Sequence, residues 1–249
     1  MRARVKTGIE GIDRLLFGGI PEGNQVVLAG GPGAGKTLTC FEFLYKNALL
    51  GHTGIFFTLE EKPETIIENA KDAFTDFKDI DELIANKKII INGSNVMTNL
   101  KGSGESEPRY AFTETIAAIQ SLVESTGATR VVIDSISIVS LLIKDPFIYR
   151  TLSISLVTVL RDLKVTSLLT MEIETPEKNK LIFLPEFFIY DGIMTMYESG
   201  SGGSRTPALE IIKMRGSKHS FSTVPYEITP SGINLLTTET YKDESDQAF

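Results

Sequence analysis

The sequence has 249 residues, of which 42% are hydrophobic and 23% are charged, and such proportions are ordinary for a soluble globular protein. Its 25 basic and 32 acidic residues give a net charge of −7, which excludes a global positive field for nucleic acid or an anionic membrane. The single cysteine, Cys40, excludes an intramolecular disulfide, and no uncharged apolar window is long enough to span a bilayer. We therefore expect a cytoplasmic protein without a membrane span, and the length suits one α/β domain.

The first core strand leads directly into a glycine-rich loop. Residues 25–29 (QVVLA) predict a buried strand, residues 30–37 (GGPGAGKT) fit the pattern G-x-x-x-x-G-K-[ST], and residues 37–50 predict an amphipathic helix. Glycines at these positions let successive backbone N–H groups turn toward a phosphate, where a β-carbon would collide. Because strand, loop and helix follow in this order, a phosphate-binding P-loop is favoured over a simple glycine-rich turn.

Each residue type in the loop suits a nucleotide and its metal ion. Lys36 places a positive charge between the β- and γ-phosphates, and the Thr37 hydroxyl is a ligand for Mg²⁺ at a helix N-terminus that already favours anions. We therefore expect ATP and Mg²⁺ as cofactors. The predicted nucleotide-binding residues here are Gly31, Pro32, Gly33, Ala34, Gly35, Lys36, Thr37 and Leu38.

Two further apolar strands end in carboxylates. Residues 54–59 (GIFFTL) are followed by Glu60 and Glu61, and residues 130–134 (RVVID) end at Asp134 in a Walker B arrangement. Such positions lie at the carboxyl edge of an α/β sheet, where ligands bind. Asp134 is therefore a candidate Mg²⁺ ligand rather than a helix cap. By itself, the Glu60–Glu61 pair is better explained as acidic residues at the start of a helix than as catalytic residues.

The rest of the chain predicts more strands and helices of the same kind. Strands at residues 88–91 and 165–171, with helices at 111–125 and 146–163, complete a parallel sheet that is covered on both faces. After Met171 a charged loop over residues 172–180 precedes strands predicted at 188–197, 209–214, 224–228 and 233–236. We expect an α/β fold with a mainly parallel sheet and a C-terminal antiparallel β extension, in one domain over residues 1–237. The acidic residues 238–249 are expected to be a disordered tail.

The order of P-loop, strand-Glu-Glu, Walker B aspartate and late strands resembles the RecA-type ATPases. The ending narrows the resemblance, because residues 213–219 (KMRGSKH) and 225–233 (PYEITPSGI) look like the K-x-R-G-x-x-H and P-[FY]-x-I-T…G-I segments of the KaiC family. Residues 7–13 (TGIEGID), with Gly18-Gly19-Ile20-Pro21, match the opening of that family. The resemblance covers residues 4–236 and implies a RecA-like P-loop NTPase fold.

The resemblance also implies a site that is shared between subunits. Glu60 would act as the general base toward water, supported by Glu61, and Lys36 would act beside them on the phosphates. Lys213 and Arg215 would reach the γ-phosphate of ATP on a neighbouring subunit, and His219 would lie near the same nucleotide. A homo-oligomer, either a hexameric ring or a filament, is implied. Clock proteins of the family carry two such domains in one chain, whereas this chain has one.

Three functions are therefore compatible with the sequence. We favour a slow, Mg²⁺-dependent ATPase acting as an oligomeric enzyme or switch. An accessory protein of recombination and repair, similar to archaeal paralogues of the recombinase RadA, would bind single-stranded DNA, but the loop after Met171 starts with Glu172, Glu174 and Glu177, which suit phosphates poorly. The third is an ATP-regulated interaction scaffold with little turnover, whose protein partners the sequence does not identify.

Overall fold

The computed structural model describes residues 2–93, 107–173, 185–199 and 206–236. The strands are β1 (Arg4–Val5), β2 (Ile20–Pro21), β3 (Gln25–Gly30), β4 (Gly54–Thr58), β5 (Ile89–Gly93), β6 (Arg130–Asp134), β7 (Thr166–Glu172), β8 (Gly192–Ser199), β9 (Thr206–Met214), β10 (Val224–Thr229) and β11 (Gly232–Leu235). The helices are α1 (Glu10–Leu15), α2 (Lys36–Leu49), α3 (Pro63–Ala73), α4 (Ile80–Ala85), α5 (Glu107–Thr126), α6 (Ser137–Leu142) and α7 (Pro146–Asp162). Most predicted elements are confirmed to within a few residues, whereas β1, β2, α4 and α6 were not predicted.

The main sheet has nine strands in the order β11-β10-β9-β8-β3-β7-β6-β4-β5, and β1 pairs separately with β2. The six strands from β8 to β5 are parallel, and β9, β10 and β11 are antiparallel. The α/β fold with a mostly parallel sheet and a C-terminal antiparallel extension is therefore confirmed. The parallel part reaches one strand farther than predicted, because β8 pairs in parallel with β3.

The two faces of the sheet are both covered, as the apolar strands predict. Along β3, Val26 and Leu28 belong to one buried cluster together with residues of α2, and Val27 and Ala29 belong to another together with residues of α5 and α7. This division follows from the alternation of side chains along a strand. The central strands are thus buried on both sides, and ligands can reach them only at their ends.

One predicted strand starts later than its apolar sequence suggests. Residues 188–190 were assigned to a strand, but Pro185–Phe188 form a turn of 3₁₀ helix and β8 begins at Gly192. The predicted acidic tail at residues 238–249 and most of the charged loop after Met171 lie outside the described residues, so the predicted domain boundary stays a prediction. Within the described part of the chain, no helix combines the length and apolar character that a membrane span requires.

Candidate active site

The P-loop lies where β3 ends and α2 begins. Gly33 and Gly35 have φ values of 76° and 80°, in the left-handed region that favours glycine. Gly30 does not have a positive φ. Glycine is needed there because there is no room for a β-carbon. A β-carbon at Gly30 would lie 2.4 Å from the backbone oxygen of Met196 on β8. The glycines therefore serve two purposes: two shape the loop, and one allows β8 to pack closely behind it.

Lys36 is folded back over the loop. Its Nζ donates to the backbone oxygens of Gly30 at 3.0 Å and Gly31 at 2.8 Å, and the residue is 8% exposed. Burial lowers the pKa of Lys36, and the carboxylates of Glu172 and Asp134 oppose that shift. The ammonium group is thus held in the loop. A bound phosphate would replace the two carbonyl oxygens as its hydrogen-bond partner.

Thr37 and Asp134 form a hydrogen-bonded pair across the loop and β6. The Thr37 hydroxyl donates to Oδ2 of Asp134 at 2.8 Å, and the Thr170 hydroxyl of β7 donates to Oδ1. Burial raises the pKa of Asp134, and these two hydrogen bonds lower it. A hydroxyl and one carboxylate, completed by phosphate oxygens and water, are the ligands that Mg²⁺ takes in nucleotide sites. The residues present therefore fit Mg²⁺, and Thr37 and Asp134 are the ones that would hold it.

Carboxylates surround the same point from neighbouring strands. Thr58 of β4 pairs with Asp134 of β6, so Glu60, two residues later, follows at the edge where Asp134 lies. Burial raises the pKa of Glu60, and the charges of Glu172 and Asp134 add to the shift. The pKa of Glu61 is raised by burial and by Asp134. Glu60 is thus the predicted base, placed beside the predicted metal ligand.

Two residues that sequence reasoning left open or missed also belong to this region. Glu172 ends β7, its backbone N–H donates to the hydroxyl oxygen of Ser137 at 2.7 Å, and its charge acts on both Glu60 and Lys36. Tyr226 of β10 donates from its hydroxyl to the backbone oxygen of Ala34 at 2.6 Å. The position of Glu172 at a strand end was a usable signal. Tyr226 stands in the P-[FY]-x-I-T segment, but nothing in that motif indicated a contact with Ala34.

The β10–β11 hairpin supports the P-loop and the helix that follows it. Besides the contact of Tyr226, the Cδ1 atom of Ile228 lies 3.0 Å from where a β-carbon of Gly35 would be. The backbone N–H of Ile233 donates to Oε2 of Glu42 on α2 at 2.7 Å. The hairpin therefore supports the loop directly and also holds the helix behind it.

Lys213 and Arg215 lie at the other end of the sheet. Lys213 pairs with Ile193, which pairs with Val27, and the backbone N–H of Arg215 donates to the backbone oxygen of Asp191, beside Gln25. From Gln25 to Gly30, β3 spans about 17 Å at ~3.3 Å per residue. The structure therefore brings Lys36, Thr37, Glu60, Glu61 and Asp134 together but does not bring Lys213 or Arg215 to the same P-loop.

Within the residues that the structure describes, the predicted nucleotide-binding residues Pro32, Leu38 and His219 show no contact that indicates a specific role. Pro32 is exposed, and Leu38 is partly buried against the core. The Nδ1 atom of His219 lies 2.9 Å from the backbone oxygen of Ser220, and its ring lies 4.7 Å from that of Phe221. These contacts give His219 no partner within the P-loop among the described residues, so its role stays a prediction.

Known proteins are similar to this chain over most of its length. The family described as "ATPase: KaiC" matches residues 5–240. The UPF0273 protein of Methanocaldococcus jannaschii is 34% identical over 237 residues, covering 92% of this chain and 95% of that protein. The circadian clock oscillator protein KaiC 1 of Synechocystis sp. is 32% identical over 94% of this chain, which spans only 44% of that protein.

A solved structure shows the same similarity in three dimensions. The crystal structure of a KaiC-like protein from Pyrococcus horikoshii has a TM-score of 0.79 and 32% identity, covering 94% of this chain and 99% of that chain. The similarity thus extends over nearly the whole of both chains. The chain therefore belongs to the KaiC family of ATPases.

Proposed function

We propose that the chain is a Mg²⁺-dependent ATPase that works as a homo-oligomer, with the nucleotide bound between subunits. Family membership supports ATP binding and hydrolysis. The observation that carries the shared site is the separation of its two halves: the P-loop lies at the carboxyl edge of the parallel strands, and Lys213 and Arg215 lie at the amino edge. One subunit cannot join these halves, but two subunits packed head to tail can.

The residues at the carboxyl edge provide binding and the attack of water. Backbone N–H groups of the loop and Lys36 would hold the β- and γ-phosphates, while Thr37 and Asp134 would hold Mg²⁺, which neutralises charge on the phosphates when bound. Glu60 would accept a proton from the water that attacks the γ-phosphorus, as the bond to the ADP oxygen breaks. Glu61 supports the same region.

The residues at the amino edge would stabilise the charge that develops on the transferred group. Arginine fingers supplied by a partner raise phosphoryl-transfer rates by about 10³- to 10⁵-fold. Without them the subunit would hold ATP and turn it over slowly. An oligomeric switch, slow as separate subunits and faster once assembled, is therefore the form of ATPase that this division of residues favours.

Charge complementarity supports head-to-tail packing. The carboxyl edge exposes Glu60, Glu61 and Glu172, and the amino edge exposes Arg161 and Arg215. A heterologous interface of this kind closes into a ring or continues as a filament. We favour a hexameric ring or a filament, as in the expectation from the sequence.

The test is phosphate release by a Lys213→Ala, Arg215→Ala double variant. We expect a loss of about 10³-fold relative to the parent, with ATP still bound, because the variant keeps its own P-loop. Lys71→Ala, Lys78→Ala is the matched control, since Lys71 of α3 is partly exposed and Lys78, after α3, is exposed. An unchanged rate in the finger variant would contradict the shared site.

The same assay separates the other functions. Phosphate release and gel filtration, each with and without ATP and with and without single-stranded DNA, distinguish an ATPase from a DNA-binding accessory or a non-hydrolysing scaffold. We expect ATP to shift the elution volume toward an oligomer and DNA to change neither readout. DNA retention that weakens with salt would instead favour the recombination accessory.

A further inference from the structure

The backbone segment from Phe187 to Asp191 is surrounded by basic side chains. Lys213 donates from Nζ to the backbone oxygens of Phe187 at 3.1 Å and Tyr190 at 2.7 Å, and Arg215 donates to that of Phe188 at 2.8 Å. Arg161, at the end of α7, donates to the backbone oxygen of Ile189 at 3.1 Å. Three cations from two elements therefore converge on a few residues of chain.

Asp191 provides the negative charge within this cluster. Arg161 donates to its Oδ1 at 2.9 Å, and Nη1 of Arg215 lies 3.8 Å from the same oxygen. Its Oδ2 accepts a hydrogen bond from the backbone N–H of Gln25 at 3.1 Å. Its backbone oxygen accepts one from the backbone N–H of Arg215 at 2.8 Å. The carboxylate is 14% exposed, whereas the side chain of Arg215 is 50% exposed. A fixed, largely buried carboxylate thus faces a half-exposed guanidinium.

The charges explain why Asp191 matters for the neighbouring cations. Burial lowers the pKa of Lys213, the charges of Arg215 and Arg161 lower it further, and Asp191 opposes the shift. Without the carboxylate, three positive groups would repel one another across a short distance. A half-exposed arginine would then turn toward water, where its long side chain regains rotamer freedom.

We propose that Asp191 is a positioning residue that orients Arg215, with Lys213 beside it, toward the phosphate bound by a neighbouring subunit. This inference rests on the proposed function, since it concerns the trans-acting half of that site. Asp191 does not touch the nucleotide in this arrangement. It fixes the guanidinium by charge and by a shared backbone anchor, so that the finger is already placed when the neighbour's nucleotide arrives, which is how positioning contributes to rate.

A cleft opens beside Asp191 at this edge of the sheet. It has a volume of about 570 Å³. Its charged lining residues are Arg2, Arg161 and Lys164, which are basic, and Glu22 and Asp191, which are acidic. Its rim carries more positive than negative side chains, which suits the acidic carboxyl edge of a second copy. Asp191 lies in the wall of this cleft, between the cations and the sheet.

A purely structural role is the alternative, because Asp191 also ties α7 to β3 through Arg161 and Gln25. A kinetic and a subunit-mixing experiment together distinguish the two. Asp191→Asn keeps the shape and one acceptor oxygen but removes the charge. We expect kcat to fall about 10- to 100-fold, the range that misplacement of a reacting group produces. The Kd for a fluorescent ATP analogue should stay within about twofold of the parent, because the P-loop is intact.

Two further variants complete the comparison. Asp191→Glu restores the negative charge and should recover a large part of the lost kcat. Asp81→Asn is the matched control, because Asp81 of α4 also pairs with a cation, Lys71 of α3, at 2.6 Å. This variant should leave kcat unchanged. Parental kcat in Asp191→Asn, or no recovery in Asp191→Glu, would contradict the positioning role.

Mixing subunits supplies the readout that a structural defect would not move. Asp191→Asn subunits keep the P-loop and Glu60, and Glu60→Gln subunits keep the fingers. An interface between the two kinds joins an intact nucleotide half to an intact finger half, so the mixture should release phosphate several-fold faster than the sum of the separate variants. A mixture that only reaches the sum would assign Asp191 to folding instead.

The finger variant keeps this result separate from the test of the proposed function. If Lys213→Ala, Arg215→Ala subunits complement Glu60→Gln but Asp191→Asn subunits do not, the shared site stands and the role of Asp191 is wrong. If the finger variant has the parental rate, the shared site itself is wrong. Each outcome therefore decides one of the two proposals.

Discussion

The hydroxyl of Thr37 donates a hydrogen bond to Oδ2 of Asp134 over 2.8 Å, which joins the first turn of α2 to the end of β6. The two residues are separated by 97 positions in the sequence, yet they form one oxygen-rich corner next to the P-loop. Since Asp134 is only 7% exposed, its remaining partners are few, and the Thr170 hydroxyl occupies the other oxygen. Substitution of Thr37 or of Asp134 would therefore test the predicted Mg²⁺ site.

Thr37→Val should weaken the use of Mg²⁺ and also destabilise the protein modestly. The substitution removes a predicted metal ligand and leaves Oδ2 of Asp134 without the hydroxyl, an effect of about 1–3 kcal/mol for a buried acceptor. We expect the Mg²⁺ concentration for half-maximal phosphate release to rise about 10-fold or more. Thr113→Val, on the exposed side of α5, is the control and should change neither quantity.

Glu60→Gln should abolish most hydrolysis while ATP stays bound. General-base catalysis contributes about 10²- to 10⁴-fold, and glutamine keeps the shape of the side chain but cannot accept the proton. Phosphate release and nucleotide binding measure the two effects separately. The control is Glu68→Gln on the exposed face of α3. A rate within a few-fold of the parent would assign the base to another carboxylate of the cluster.

Glu42→Gln should flatten the dependence of stability on pH. Burial raises the pKa of Glu42 from 4.5 to about 7, while the N–H of Ile233 and Lys46 lower it. Between these two values the folded state keeps a proton that the unfolded state releases, so the free energy of unfolding falls as pH rises. The loss across this range is on the order of 3 kcal/mol.

Urea denaturation at pH 5 and pH 8 measures this effect. The parent should lose stability at the higher pH, and Glu42→Gln should lose much less, because the amide still accepts the Ile233 hydrogen bond without ionising. Glu68→Gln should behave as the parent. Equal pH dependence in the parent and in Glu42→Gln would show that other groups are responsible.

Gly232→Ala should destabilise the hairpin that supports the P-loop. Gly232 has a φ of 126°, and a β-carbon there would lie 2.2 Å from Oε1 of Glu42. Strain and collision act together, so the loss should exceed about 1 kcal/mol. Gly51→Ala separates the two effects, since Gly51 has a φ of 89° but no atom within 4 Å. Equal destabilisation in both variants would remove the collision from the explanation.

Local patterns were sufficient to predict which residues the fold brings together at the P-loop. The P-loop, Glu60 and Asp134 each stand at the end of an apolar strand, and parallel strands bring such ends to one edge. The sequence did not reveal that Tyr226 supports Ala34, because that contact joins residues 192 positions apart and depends on the order of the strands. Pairing across such distances has no local signature.

The late start of β8 has a different physical reason. Residues 188–190 (FIY) are apolar and suit a strand, but the backbone oxygens of Phe188, Ile189 and Tyr190 accept from Arg215, Arg161 and Lys213 rather than from a neighbouring strand. Side chains that are distant in the sequence but close in the folded chain thus take the place of the backbone hydrogen bonds that a strand would make. The same side chains carry the role proposed for Asp191.

The contacts of the β10–β11 hairpin also set an order of events during synthesis. The P-loop motif leaves the ribosome early, but the hydroxyl that holds Ala34 and the N–H that holds Glu42 belong to residues made about 190 positions later. A nascent chain therefore carries the motif for a long time without its support. These two supporting contacts can form only after translation has passed Ile233, so incomplete chains lack them.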